Sequence, residues 1–160
     1  MSENDSNWSV FWSYGNKRTN PPSATALHLG KTVAEDVNKT RADEVVGFIV
    51  MEQGTGTING VQYEAALGPD TVRGVENHPP YYYTLSRPFS QQPAFAIATI
   101  SGMDGNNGGW AYLYGATPLS ATQIGLAIDE DQIGDTERRH TTEQVAYLVF
   151  EAPIAYQAMP

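Results

Sequence analysis

The sequence predicts an all-β protein: a small antiparallel β-sandwich in which one complete six-stranded repeat is preceded by a three-stranded half repeat. Three observations lead there. Short apolar runs rich in β-branched and aromatic residues recur along the chain, separated by Gly, Asn and Pro turns. No stretch carries three turns of amphipathic-helix periodicity. The chain also repeats itself. Glu44–Glu52 (EVVGFIVME) aligns without a gap on Glu143–Glu151 (EQVAYLVFE). Upstream, Ser23-Ala24-Thr25 matches Ser120-Ala121-Thr122, Glu35-Asp36 matches Glu130-Asp131, and Trp8-Ser9-Val10-Phe11 matches Trp110-Ala111-Tyr112-Leu113. A period of roughly 100 residues, one small domain, accounts for all four matches.

Each element follows from its local pattern. In the half copy, 1–52, strands are expected at 8–14, 26–33 and 44–52, the last an apolar run after a charged loop. The complete copy, 53–160, is expected to hold strands at 57–66, 81–87, 94–101, 110–115, 123–129 and 143–151. Asn59-Gly60 is a hairpin-turn signal inside the first of these. Gly68–Pro80 reads as a long loop, Gly102–Gly109 as a tight turn-rich loop, and 152–160 as a tail without a strong signal. Three strands make only half a sandwich. They leave an apolar face and free edges, to be covered by the rest of the chain, by another copy or by a further segment.

Composition narrows the function. Nine Lys and Arg against 18 Asp and Glu give a formal charge of −9, with no basic stripe to meet a phosphate backbone, so nucleic acid is not an expected partner. No run of about 18 apolar residues occurs, so no membrane-spanning helix is expected. There are no cysteines, hence no disulfide, thiolate metal site or cysteine nucleophile. The first ten residues, MSENDSNWSV, are polar and acidic and do not read as a signal peptide.

Candidate chemistry concentrates between Gln123 and Glu151, where two strands flank the densest charge in the chain. Asp129, Glu130, Asp131, Asp135 and Glu137 supply the hard oxygen ligands that Ca²⁺ takes, although their spacing is not that of an EF-hand. The alternative is a solvated loop in which Arg138 and Arg139 pair with those carboxylates. Asp104-Gly105-Asn106-Asn107 is either a second cation or sugar loop or an ordinary tight turn. The row Trp110, Tyr112 and Tyr114, with its counterpart Trp8, Val10 and Trp12, is expected to line a core, or else to stack on sugar rings. His28, His78 and His140 are scattered, so a zinc site is not expected. No catalytic constellation is visible, and the expectation is a non-enzymatic protein.

Pro93–Glu151 resembles the H-type lectin family. The features are an apolar strand after proline (PAFAIATIS), a Gly-rich turn, a middle strand that ends in acidic residues, and the closing HTTEQVAYLVF. The chain is especially similar to tandem repeats of large secreted or surface proteins of marine and environmental bacteria, in its GMDGNNGGWA, AIDEDQ and HTTEQVAYLVFE segments. The leading WSVFW and TRADEVVGFIVMEQGTGTI segments are similar to the preceding repeat of such arrays, so the resemblance spans nearly the whole chain. It implies a six-stranded antiparallel sandwich, often trimeric, placed outside the cell or on its surface, that binds N-acetylgalactosamine-type sugars at subunit edges. Carried over to this chain, the sugar-contacting residues would be Arg138, Arg139 and His140 before the last strand and Tyr147 on it. Adhesion or carbohydrate binding is the first functional expectation. The alternative is a structural subunit that forms an oligomer or filament by strand complementation between subunits.

Overall fold

The computed structural model describes residues 7–155. Among them there are nine strands and one short 3₁₀ turn at Val75–Asn77, and no α-helix. The strands are β1 (Val10–Tyr14), β2 (His28–Thr32), β3 (Gly54–Ile58), β4 (Val61–Val72), β5 (Tyr81–Thr84), β6 (Phe95–Ile100), β7 (Trp110–Leu113), β8 (Gln123–Asp129) and β9 (Glu143–Phe150). They form three antiparallel sheets: β3-β4-β9-β6, β5-β8-β7 and the β1-β2 hairpin.

The four-stranded and three-stranded sheets face each other across the main core. Ile124, Leu126 and Ile128 of β8 and Val145, Tyr147 and Val149 of β9 meet there with Val72, Tyr83 and Ile100. The alternation of β9 sets this arrangement, because Val145, Tyr147 and Val149 share one face of the strand. Its other face, with Leu148 and Phe150, builds a second cluster on the outside of the sheet together with Ala65. β9 is central: β4 pairs with it along one edge and β6 along the other.

The expected turn at Asn59-Gly60 forms, and two other expectations need correction. The span 57–66 is a hairpin, β3 turning into β4 at Asn59-Gly60, where both residues have positive φ (50° and 83°). That is the primed turn that suits the right-handed twist of paired strands. The expected loop 68–80 is shorter, because β4 runs on to Val72 through irregular pairing against β9. The expected strand 44–52 does not form. No strand is present from Val33 to Gln53, so the half copy keeps two strands. Of the aromatic rows, only Trp12 enters the core. Ala111 and Leu113, on the alternate face of β7, pack there in place of Trp110 and Tyr112. The tail beyond Ala155 lies outside the described residues.

The β1-β2 hairpin repeats the β7-β8 pair in register. Phe11 lies opposite Lys31 as Leu113 lies opposite Leu126. Leu29, Lys31 and Val33 therefore take the places of Ile124, Leu126 and Ile128. One face of the hairpin is spent on the complete copy: Trp12 joins its core and lies over Gly30, where any Cβ would meet the indole at 2.3 Å. Ser13 Oγ sits 3.1 Å from Ser101 Oγ, and the Ser13 carbonyl accepts from Gly102 N–H at 2.8 Å. The opposite face carries Phe11, Leu29 and Lys31, with Ser13 at its edge held by Ser101, and its counterpart in β7-β8 is core.

Leu126 is fully buried at the centre of this packing. Leu126→Ala is expected to lower unfolding stability by about 2–5 kcal/mol. A chemical-denaturation midpoint that falls with an unchanged slope would show the loss directly.

Candidate functional site

The loop between β8 and β9 folds onto itself. Asp129, the last residue of β8, takes a two-pronged hydrogen bond from Arg138, at 2.7 Å to Nε and 2.5 Å to a terminal nitrogen. The planar guanidinium fork matches a carboxylate in this way. Asp131 accepts from Ile133 N–H at 2.9 Å and from Glu35 N–H at 3.1 Å, which ties the loop to the half copy. Asp135 accepts from Glu137 N–H, and Glu137 accepts from Arg139 N–H, both at 3.0 Å. These are local Asx-type and related turns.

His140 is the centre of a buried polar row. Its Nδ1 meets Glu130 Oε1, and its Nε2 lies 2.7 Å from Glu143 Oε1. All three side chains are buried. Glu143 also accepts from Asp104 N–H and Gly105 N–H at 2.9 and 2.8 Å, so the same row holds the 102–109 loop in place. Gly105 is required there, since a Cβ would fall 2.2 Å from the His140 ring. Burial pulls the His140 pKa down, but the hydrogen bonds and charges of Glu143 and Glu130 outweigh it, and the net shift is upward. Burial likewise raises Glu130, with His140 acting the other way.

Tyr147 closes a second buried polar group. Its hydroxyl donates to Glu64 Oε1 at 2.8 Å, and Glu64 Oε2 accepts from Ser86 N–H and Ser86 Oγ at 2.9 and 2.8 Å. Burial first, and then the bond to Glu64, push the Tyr147 pKa well above its ordinary value.

The expected sugar edge is therefore divided. Arg138 is paired and Arg139 is exposed, whereas His140 and Tyr147 are interior with their polar atoms engaged. The expected Ca²⁺ set is divided too. Asp129 faces Arg138, Glu130 faces His140, and the two carboxylates on His140 lie at opposite ring nitrogens, so they do not converge on one point. Among the described residues, no group of three His, Asp or Glu side chains is arranged to hold a metal ion. In the 104–107 loop the Asn106 side-chain oxygen accepts from Arg18 at 3.2 Å. His28 stacks on Tyr14, and His78 takes a left-handed backbone conformation (φ 67°) after the 3₁₀ turn.

The structure brings forward a different place. By the gapless match, Val46, Phe48, Ile49 and Val50 correspond to Val145, Tyr147, Leu148 and Val149. Phe48, Ile49 and Val50 are 67, 68 and 65% exposed, and their counterparts 7, 9 and 0%. Beside them, a groove of about 350 Å³ opens between this segment and the Phe11 face of the hairpin, lined by Phe11, Leu29, Gly30, Lys31, Asp43, Glu44 and Val46. Its counterpart in the complete copy is sandwich interior. The repeat was legible in sequence. That its last strand would stand outside a sheet was not, because pairing depends on partners elsewhere in the chain.

No family model matches the chain, and neither a curated protein nor a solved structure is detectably similar to it.

Two expectations test the buried polar rows. The folded His140 pKa lies above the unfolded value of about 6.5, so just above that pH the folded chain holds more of this proton than the unfolded one. Folding then takes up a proton, so this contribution to stability is fully present below that pH and is lost as pH rises through the folded value. Denaturant titrations from pH 6 to 9 should show stability falling in wild type, with a flatter profile in His140→Gln. Tyr147→Phe removes one donor from buried Glu64 and should cost about 1–3 kcal/mol in the same assay at pH 7.

Proposed function

We propose that this chain is a non-enzymatic structural and adhesive module of a repeat array, joined to a neighbouring repeat by strand complementation. The observation that carries the reading is the contrast between 48–50 and 147–149: one sequence pattern, buried at the centre of a sheet in one copy and exposed beside an open groove in the other. An apolar segment that lies outside any sheet is a template for strand addition. Seating Val46, Phe48 and Val50 in a core would contribute about 1.5–3 kcal/mol for each side chain, part of it offset by the cost of ordering and association.

The complete copy shows what the open half requires. β4 and β6 flank β9, β3 pairs with β4, and β5 pairs with β8. In this chain β4 and β6 are already engaged with their own β9, and β5 with β8, so the complement is a β4–β6 unit from another repeat whose closing strand is missing. Identical chains meet that condition only by exchanging strands. The resemblance to tandem repeats of secreted and surface proteins supports an extracellular setting and an adhesive role. A sugar edge built on Arg138, Arg139, His140 and Tyr147 has less support, because two of the four side chains are interior.

The test uses the whole chain and a labelled peptide of residues 93–101, PAFAIATIS, the strand that pairs with β9 in the complete copy. Saturable micromolar binding by fluorescence anisotropy is expected, weakened at least tenfold by Phe48→Asp, a change at an exposed position that leaves the fold intact. Absence of binding to wild type would remove the basis for complementation.

A further inference from the structure

The open half-site differs from its complete counterpart at one chemically decisive position. In the complete copy, Tyr147 projects into the sandwich and its hydroxyl serves the buried carboxylate of Glu64 on the neighbouring β4. The half copy has Phe48 there. Phenylalanine fills the same volume and offers no hydrogen bond. A β4-type strand seated beside 46–51 in the register of β9 would place its Glu64 position against Val50 and within reach of the Phe48 ring, as Glu64 lies opposite Val149 and bonds to Tyr147.

From this we infer that the half-site selects its partner strand by charge: it takes a β4-type strand whose residue at the Glu64 position is uncharged, and it discriminates against the β4 of an identical chain. This inference rests on the complementation reading and names the partner for it. A carboxylate brought against the Phe48 ring, where no hydroxyl donates, is desolvated with too few hydrogen bonds, the costly way to bury a charge. The groove beside it is lined by Asp43 and Glu44 as well as by Lys31, whose ammonium already donates to the Ala42 carbonyl at 2.8 Å. In the complete copy, by contrast, Glu64 has Tyr147 and both Ser86 donors. Specificity of this kind works by rejection, since the wrong partner is left with an unmatched polar group. Its consequence is a directional array, in which a unit pairs with a different repeat in preference to a copy of itself.

Two peptides of residues 61–68 test it against the whole chain: the native VQYEAALG and its Glu64→Leu form. The Glu64→Leu peptide is expected to bind wild type at least tenfold more tightly than the native one. In the Phe48→Tyr chain, which restores the hydroxyl, the native peptide should gain affinity and the ratio should shrink severalfold. Equal binding of the two peptides to wild type, or a ratio unchanged by Phe48→Tyr, overturns the inference. The 93–101 peptide separates the two levels, because its strand carries no charged residue. If it binds while the 61–68 pair does not discriminate, complementation stands and charge selection falls. If no peptide binds, both fall.

Discussion

The structure depends on the seating of β9 between β4 and β6. A strand with partners on both edges can pair the backbone groups that point to either side, and its two faces then serve two clusters. Val145, Tyr147 and Val149 close the sandwich, while Leu148 and Phe150 hold the outer layer. The strands on either side of β9 are remote from it in sequence, so the sandwich is completed by long-range pairing.

The polar groups of the interior are arranged around the same strand. Glu143 at its start anchors the 102–109 loop and receives His140, and Tyr147 at its middle receives Glu64. Buried carboxylates are costly unless every lone pair is served. These two are served by backbone N–H groups, a histidine and hydroxyls. Charge in the β8–β9 loop that reads in sequence as a ligand site is largely consumed in holding the loop closed: Asp129 by Arg138, Glu130 by His140, and Asp131, Asp135 and Glu137 by nearby backbone amides.

The half copy obeys the same rules with fewer partners. Its hairpin reproduces the β7-β8 register, and Glu35 occupies the place of Glu130. Arg41, at the position matching His140, bonds to Asp36 at 2.8 Å, while one oxygen of Glu35 is buried with no hydrogen bond among the described residues. The buried polar row of the complete copy is thus not rebuilt. The inner face of the hairpin keeps Leu29 and Lys31 where the complete copy has Ile124 and Leu126.

The sequence by itself determined the all-β class, the positions of most strands, the Asn59-Gly60 turn and the internal repeat. Each rests on short-range pattern: alternation, β-branched and aromatic runs, turn residues, and identity between the two copies. Tertiary structure alone decided three things. It placed Ala111 and Leu113, not Trp110 and Tyr112, in the core, because the face of a strand that is buried depends on what lies opposite. It moved His140 and Tyr147 to the interior, because Glu130, Glu143 and Glu64 come to them from other segments of the fold. And it left 46–51 outside any sheet although its sequence matches β9, because a strand is stable only where neighbours offer their edges, and here β4 and β6 are already paired.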